Sequence, residues 1–276
     1  MKGKKRSKTL VALLAGAGVL VAVAVAWAQR YPVPPSIDRR GVPEWELDNE
    51  MPRDVFTFVR IRYGSYNGRG GKWATDYPDA ELNLSYRLQE MTSLKVHPEG
   101  KVLELTDPEL FDYPFIFMSD VGTLWLSDIE AQRLGEYLRK GGFLWVDDFW
   151  GPYAWRQWST EIGKALPPGQ YPIFDIPFEH PIHRVVYTVN EIPQIPSIQH
   201  WRRSGGSTTS ERGYRSDQVH FRGIADSDGR LMVLMSHNTD IADGWEREGE
   251  DYDFFTKFSI NAYAVGINTV VHAMTH

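Results

Sequence analysis

Carboxylate side chains recur in this sequence directly after short apolar runs. Asp147 and Asp148 follow the run FLWV, and Asn238, Asp240 and Asp243 come shortly after the run LMVLM. Carboxylate and amide oxygens are the ligands that hard cations such as Mg²⁺ and Ca²⁺ prefer, and a strand-end carboxylate can also serve as a general base. The spacing therefore predicts an acidic site, and Asp148 with Asp240 are the candidate ligands of a divalent metal.

Two of these assignments have alternatives. Asp147 and Asp148 are adjacent, and adjacent side chains on a strand point to opposite faces, so at most one of them faces the site. We favour Asp148. Asp76 is a further candidate ligand, but its position just ahead of a helical stretch favours a helix N-cap.

Other side chains complete the candidate ligand-binding set. Arg62 follows the first apolar run, Trp150 and Trp245 flank the acidic positions, and His180 opens the segment His-Pro-Ile-His. Tryptophan rings can stack on sugar faces, although core packing is the commoner role of a single Trp. The segment at His180 lacks the Glu of an H-E-x-x-H zinc motif, which favours a structural role.

Several catalytic signatures are absent from the sequence. It contains no cysteine, which excludes disulfides, Cys-ligated zinc, Fe–S clusters and every Cys nucleophile. It contains no G-x-S-x-G nucleophile motif. The glycine-rich stretch 64–72 has Trp73 where a Walker A loop needs Ser or Thr, so we interpret it as a flexible connection.

The elements that must position these residues alternate between strand and helix. Apolar runs predict buried strands, and amphipathic stretches between them predict helices, the clearest opened by the capping box of Ser127 and Glu130. Strands are predicted at 55–61, 101–105, 115–118, 143–146, 185–189 and 231–235. Helices are predicted at 78–91, from 127 to the glycines at 141–142, at 155–166 and at 258–273, the last interrupted at Gly266, and 204–217 is predicted to be a mobile surface loop.

This alternation predicts an α/β fold. Far fewer than eight βα units are present, so we expect an open, doubly wound, mostly parallel sheet in three layers rather than a barrel. In such a sheet, ligands bind outside the carboxyl ends of the strands, where the candidate carboxylates are placed.

The N-terminal segment predicts export. Five basic residues precede an apolar, helix-length stretch at 10–27, and Ala26-Trp27-Ala28 fits a signal-peptidase site. Because the stretch is nearly long enough to span a bilayer, it could be a cleaved signal peptide or an uncleaved membrane anchor. We favour the signal peptide over the anchor, and a buried core helix is the least favoured interpretation. The domain is then periplasmic or anchored to the inner membrane. Residues 29–53 predict a Pro-rich linker, and 54–276 form the domain.

The net charge narrows the range of partners. The formal charge of the whole chain is −6, and cleavage of residues 1–28 would remove five positive charges and no negative ones. The domain without residues 1–28 is therefore more acidic than the whole chain. Such a negatively charged domain repels phosphate backbones, so nucleic acid is excluded as a partner class.

A series of short motifs resembles the DUF4159 family over residues 54–270. The motifs, in order, are Arg60-x-Arg62-Tyr63, Trp73-x-Thr75-Asp76-x-Pro78, Tyr113-Pro114-Phe115, Gly141-Gly142-Phe143, Asp147-Asp148-Phe149, His180-Pro181-Ile182, Asn238-x-Asp240 and Asp243-x-Trp245. The resemblance implies a flavodoxin-like fold similar to class I glutamine amidotransferases and ThuA-like proteins. Those amidotransferases use a Cys nucleophile, and its absence here excludes their thioester chemistry.

Two functions stay open at this point. The first is a non-enzymatic ligand-binding or assembly module of the cell envelope, with a glycan or an envelope protein as ligand and no certain cofactor. The second is a divalent-metal-dependent hydrolase that acts on an envelope saccharide or ester, with the cation activating water. The amidotransferase-like scaffold without its nucleophile favours the first. Both require the strand-end carboxylates to meet in one hollow.

Overall fold

The structure is a computed structural model and describes residues 39, 41–47, 54–66 and 72–276. The predicted signal or anchor segment, most of the predicted linker and the centre of the glycine-rich stretch lie outside the described residues. Where the chain is described, no helix has the length and apolar character needed to cross a bilayer.

A seven-stranded sheet is the centre of the described part. The strands are β1 Val59–Ile61, β2 Gly64–Ser65, β3 Lys101–Leu103, β4 Phe115–Ser119, β5 Leu124–Trp125, β6 Phe143–Phe149, β7 Phe174–Asp175, β8 His220–Ala225 and β9 Leu231–His237. The sheet order is β3-β1-β4-β6-β9-β8-β7, and β2 pairs with β5 separately. The first five strands of that order are parallel, whereas β8 and β7 are each antiparallel to their neighbours.

Two hydrophobic cores cover the two faces of the sheet. Phe115 and Phe117 of β4 belong to one core, whereas Ile116 and Met118 belong to the other, because side chains alternate along a strand. The helices are α1 Asp79–Met91, α2 Asp128–Arg139, α3 Gly151–Ala165, α4 Ile198–Arg203, α5 Asp243–Glu246, α6 Tyr252–Phe254 and α7 Ile260–Thr275. Helices α1 and α7 pack into the first core, and α2 and α3 pack into the second. The prediction of a mostly parallel α/β sheet is confirmed.

Local signals place the start of α2 and the end of α3 where the sequence predicts them, whereas α3 begins at Gly151, four residues before its predicted start. The Ser127 hydroxyl accepts a hydrogen bond from the Glu130 backbone N–H, and the Glu130 carboxylate accepts one from the Ser127 N–H at 2.8 Å. This reciprocal capping box starts α2. Helix α3 has Pro152 in its first turn and ends just before the pair at 167–168.

The predicted N-cap role of Asp76 is wrong. The N-cap of α1 is Pro78, and no side chain caps that helix. Asp76 instead has a left-handed backbone conformation, and its carboxylate pairs with the guanidinium of Arg247, 171 residues along the chain. The sequence pattern that identifies a helix cap involves only neighbouring residues, so it cannot predict a partner as distant along the chain as Arg247.

The predicted strand at 185–189 is also wrong, since that segment is irregular. Its backbone N–H groups at Val186 and Tyr187 donate to the side-chain oxygen of Asn268 in α7, at 3.0 Å and 2.9 Å. A β-branched run here satisfies its backbone with a helix side chain rather than with a neighbouring strand.

The predicted interruption of the last helix at Gly266 is wrong, because α7 continues through that residue. A Cβ at Gly266 would overlap the buried ring of Trp245.

We therefore expect Gly266→Ala to lower the free energy of unfolding by about 1–3 kcal/mol, through overpacking. Gly163 in α3 is the matched control, since a Cβ there meets only Pro168 at 3.8 Å. Gly163→Ala should leave stability unchanged or raise it by up to about 1 kcal/mol in urea unfolding. Equal effects at the two positions would contradict this account of Gly266.

Candidate functional site

A cleft of about 690 Å³ opens at the carboxyl ends of the parallel strands. Five carboxylates line it: that of Glu211 and those of four aspartates, each of which comes from a different part of the chain. Asp76 precedes α1, Asp120 follows β4, Asp148 lies near the end of β6, and Asp240 follows β9. Because β1, β4, β6 and β9 are neighbours in the sheet, their loops meet at one edge.

The backbone at this edge adopts an unusual conformation. Asp76, Asp120, Asp148 and Asn238 have φ angles of 55°, 49°, 54° and 64°, and no other non-glycine residue in the described part has a positive φ. Asp and Asn tolerate the left-handed region better than most residues do. Such conformations cluster at functional sites, where the surrounding structure holds them in place.

Asp148 and Asp147 have different surroundings, at a point where the pairing of β6 with β9 is irregular and the backbone of Asp148 is left-handed. Asp148 lines the cleft, and its Oδ1 accepts a hydrogen bond from the indole N–H of Trp150 at 2.9 Å. Burial, together with the charge of Asp120, raises the pKa of Asp148 well above its usual range. Asp147 is fully buried, and its Oδ2 accepts from the backbone N–H of Ala242 at 2.8 Å. Burial raises the pKa of Asp147 to about 7.

Asp120 sits in a turn that neighbouring side chains fix. The Tyr63 hydroxyl donates to the carbonyls of Ser119 and Asp120, at 2.7 Å and 2.8 Å. The ammonium group of Lys72 donates to Asp120 Oδ2 at 2.6 Å. Burial nevertheless raises the pKa of the Asp120 carboxyl, against the effect of Lys72.

A second group of acids lies behind the cleft. Asp76, Asp243 and Glu246 each offer one carboxylate oxygen, and these three oxygens lie within 4.8 Å of one another. Arg247 pairs with Asp76 and approaches Asp243, with Nε 3.4 Å from Oδ1. The backbone N–H of Asp243 donates to Asp240 Oδ1 at 2.9 Å, which joins this group to the cleft.

The acids of this second group carry displaced pKa values. Burial and the charge of Asp76 raise the pKa of Asp243 to about 7, although Arg247 opposes the shift. Burial also raises the pKa of Glu246 and of Asp240 well above their usual ranges, and neighbouring carboxylates add to both shifts. Acids this close together do not all ionise at neutral pH, because each negative charge disfavours the next.

The rim of the cleft adds cations and aromatic rings. Arg212 and Arg215 reach it from the loop predicted at 204–217, together with Glu211. The loop is held by its own hydrogen bonds, such as that from the Arg212 N–H to the Ser216 hydroxyl at 2.9 Å. Tyr153 lines the cleft on the N-terminal turn of α3, and its side chain is 71% exposed.

The match to a known sequence family covers both the strands of the sheet and the residues of the cleft. The sequence profile of one family, described as a domain of unknown function (DUF4159), matches residues 57–274. The chain belongs to the DUF4159 family. All the strands described above and all the residues that line the cleft of this DUF4159 domain lie within the match. No curated protein matches the chain.

Six of the ten predicted site residues of the DUF4159 domain lie outside the cleft lining: Arg62, Asp147, His180, Asn238, Asp243 and Trp245. Arg62 pairs with Glu104 next to β3, at 2.8 Å between Nη2 and Oε1. His180 caps a short 3₁₀ turn, where its Nδ1 accepts from the Ile182 N–H at 3.3 Å, and its ring packs on His272.

Asn238 and Trp245 also lie behind the lining and form part of its support. The side chain of Asn238 accepts from the Gly151 N–H and donates to the Gln218 carbonyl, both at 2.7 Å. It therefore joins the end of β9 to the start of α3. Trp245 is fully buried and packs edge to face on Trp145, in the core between sheet and helix.

Some residues of the site are not among those predicted from the sequence. They are Lys72, Asp120, Tyr153, Glu211, Arg212, Arg215, Glu246 and Arg247. Two had usable signals: Asp120 directly follows the apolar run of β4, and Glu246 is three residues after Asp243, a spacing that places both on one helical face. The rim residues come from an irregular loop, whose path no periodicity predicts.

Proposed function

We propose that this DUF4159 domain is a non-enzymatic ligand-binding module of the cell envelope that holds a saccharide in its cleft. The observation that carries the proposal is the convergence of Asp76, Asp120, Asp148 and Asp240 on one hollow. A sugar presents many hydroxyl groups, and each can donate to a carboxylate or accept from a protonated carboxyl. Burial and the charge of Asp120 raise the pKa of Asp148, which widens the pH range in which its carboxyl is protonated and can also donate.

Aromatic rings beside these acids support a saccharide over other polar ligands. Trp150 and Tyr153 line the same cleft. Tyr153 is largely exposed, and an exposed ring next to polar groups can stack on the apolar face of a sugar. A segment of an envelope protein is the competing ligand, and the binding experiment below separates the two.

The scaffold supports this location of the site. Numbered along the chain, the five parallel strands β3-β1-β4-β6-β9 have the order 2-1-3-4-5, which is that of flavodoxin-like sheets. In that topology a ligand binds where the strand order reverses, here between β1 and β4. Asp120 follows β4, and the loop with Asp76 comes after β1. The order thus favours the flavodoxin-like, amidotransferase-like interpretation of the fold.

Export supports an envelope ligand. The basic and apolar segment at 1–28 favours a domain outside the cytoplasm, either periplasmic after cleavage or anchored to the inner membrane. The acidic cleft opposes polyanionic ligands, so nucleic acid is not proposed.

Binding of cell-wall oligosaccharides tests the proposal. We expect soluble oligomers of β-1,4-linked N-acetylhexosamines to titrate the full chain in calorimetry. Asp148→Asn and Tyr153→Ala should each lower the affinity about tenfold or more, roughly 1.4 kcal/mol, with unchanged circular dichroism. Tyr252→Ala is the matched control, because Tyr252 is 80% exposed and does not line the cleft.

Two outcomes would reject a saccharide ligand. One is no binding by any neutral or N-acetylated oligosaccharide at millimolar concentration. The other is equal loss of affinity in Tyr153→Ala and Tyr252→Ala. Capture of an envelope peptide by the same cleft, lost in Asp148→Asn, would instead support the competing ligand.

A second function, metal-dependent hydrolysis of an envelope saccharide or ester, is favoured by one observation. The carboxylate oxygens of Asp76, Asp243 and Glu246 lie within 4.8 Å of one another, close enough for a shared cation that could activate water. Cleavage of the bound oligosaccharides on addition of Mg²⁺, Ca²⁺ or Mn²⁺, abolished by Glu246→Gln, would support the hydrolase and reject the non-enzymatic module.

A further inference from the structure

The acids behind the cleft have the spacing of a cation's ligand shell. One oxygen each of Asp76, Asp243 and Glu246 lies within 4.8 Å of the other two. Calcium–oxygen distances are about 2.3–2.6 Å, and those of magnesium about 2.0–2.1 Å, so two oxygens on one ion are separated by at most about twice these values. A spacing of up to 4.8 Å fits the calcium limit of about 4.6–5.2 Å, whereas the smaller magnesium ion would require the three side chains to move closer together. Asp243 and Glu246 lie one turn apart on α5, and Asp76 comes from the loop ahead of α1.

Glu246 gives a second, independent indication of a ligand. Its side chain is buried, with the residue 6% exposed, and its Oε2 has no hydrogen-bond partner among the residues that the structure describes. Buried carboxylate oxygens are nearly always hydrogen-bonded, and one without a partner costs free energy. The unpartnered carboxylate belongs to the same cluster of three, so it is directed at the other two acids.

The local charge is also unbalanced. Asp240, Asp243 and Glu246 are buried and Asp76 is half-buried beside them, and Arg247 pairs with two of these four carboxylates, those of Asp76 and Asp243. The buried guanidinium of Arg60 is already paired with Glu81. A divalent cation would bring these groups close to electrical balance, which burial strongly favours.

We propose that Asp76, Asp243 and Glu246 bind one hard divalent cation of the Ca²⁺ or Mg²⁺ class. The donors are all carboxylate oxygens, without a nitrogen or sulfur ligand, and this set selects such ions. The ion joins two parts of the chain. One is the loop of Asp76, which leads into α1, and the other is helix α5, which follows β9. Since Thr75, Asp76 and Asp240 line the cleft, the ion fixes one of its walls.

Cation binding can be measured without any saccharide. The full chain, stripped with EDTA, is titrated with Mn²⁺ under electron paramagnetic resonance and with Ca²⁺ and Mg²⁺ in calorimetry. We expect one ion per chain, and at least a tenfold lower affinity for Glu246→Gln. Glu136→Gln is the matched control, because Glu136 lies on α2, on the other face of the sheet, and its carboxylate pairs with Arg133 and Lys140 of the same helix region.

The thermal midpoint in EDTA separates lost binding from lost folding. Glu246→Gln should unfold at a midpoint no lower than that of the unaltered chain, because it removes a buried charge that has no partner, while the upward shift on adding the cation disappears. Absence of a bound ion in the unaltered chain at millimolar cation would overturn the proposal. An affinity for the cation that is unchanged in Glu246→Gln would also overturn it. So would an affinity for the cation that is lost in Asp148→Asn but kept in Glu246→Gln, because that result would place the ion in the open cleft. None of these three outcomes decides whether a saccharide binds in the cleft.

Discussion

Replacing Arg60 by methionine is expected to lower the free energy of unfolding by about 3–5 kcal/mol. Arg60 lies in β1, and its guanidinium pairs with Glu81 of α1, with both side chains fully buried. The substitution leaves the charge of Glu81 buried without its partner, which costs more than the pair itself contributes. The guanidinium also donates to the carbonyls of Trp73 at 3.0 Å and Thr75 at 2.8 Å, so the loop that carries Asp76 loses two hydrogen bonds.

Two further variants make this prediction specific. The double variant Arg60→Met with Glu81→Leu should recover a large part of the lost stability, because it removes the unpaired charge as well. Arg62→Met is the matched control, because Arg62 directly follows β1 and the Arg62–Glu104 pair is 36% and 40% exposed. Its cost in urea unfolding should stay below about 1 kcal/mol. A double variant as unstable as Arg60→Met would show that the loop contacts, rather than the unpaired charge, carry the effect.

In EDTA, Asp147 and Asp243 are each expected to contribute stability near pH 5 that is lost near pH 8. Burial raises the pKa of Asp147 and that of Asp243 from 3.8 to about 7. Between about pH 4 and pH 7 these two carboxyls therefore bind more protons in the folded chain than in the unfolded chain, and the stability they contribute at acid pH is lost as the pH rises through 7. Burial lowers the pKa values of His183, His237 and His272 to about 4, so these imidazoles act in the opposite direction, and a carboxyl variant isolates the contribution of the acids. One carboxyl shifted over this range accounts for on the order of 4 kcal/mol, and contributions of interacting acids do not add.

Urea unfolding across this pH range checks the sign and the residues responsible. Asp147→Asn keeps an oxygen acceptor for the Ala242 N–H but carries no charge, so it should raise stability near pH 8 and flatten the profile. Asp253→Asn, at an exposed position in α6, should leave the profile unchanged. Equal pH profiles for Asp147→Asn and the unaltered chain would mean that Asp147 is ionised in the folded chain throughout this range.

The two experiments on buried charge relate to the function as well. Arg60 supports the loop that brings Asp76 to the cleft, and the acids that titrate near pH 7 include those behind it. If a divalent cation binds Asp76, Asp243 and Glu246, adding it should reduce the loss of stability at pH 8, because it stabilises the ionised carboxylates. Stability and site chemistry are therefore coupled through the same side chains.

The sequence by itself determined the fold class and the edge of the sheet where the acids lie. Buried strands such as β4 and β6 are short uninterrupted apolar runs, and the capping box at Ser127 is a contact between residues three apart. Both signals are local, because burial and helix initiation depend on neighbours along the chain. Asp148 and Asp240 could be placed together because parallel strands end at a common edge.

Only the tertiary structure decided which acids meet. Asp76 was assigned to the helix beside it, yet its carboxylate pairs with Arg247, 171 residues away. The apolar segment 185–189 has strand composition, but the side chain of Asn268 takes its hydrogen bonds. Glu246 gains its place in the acid cluster from the packing of α5 against α1. Contacts between distant residues depend on how whole elements pack, and the local periodicities of a sequence carry no record of that packing.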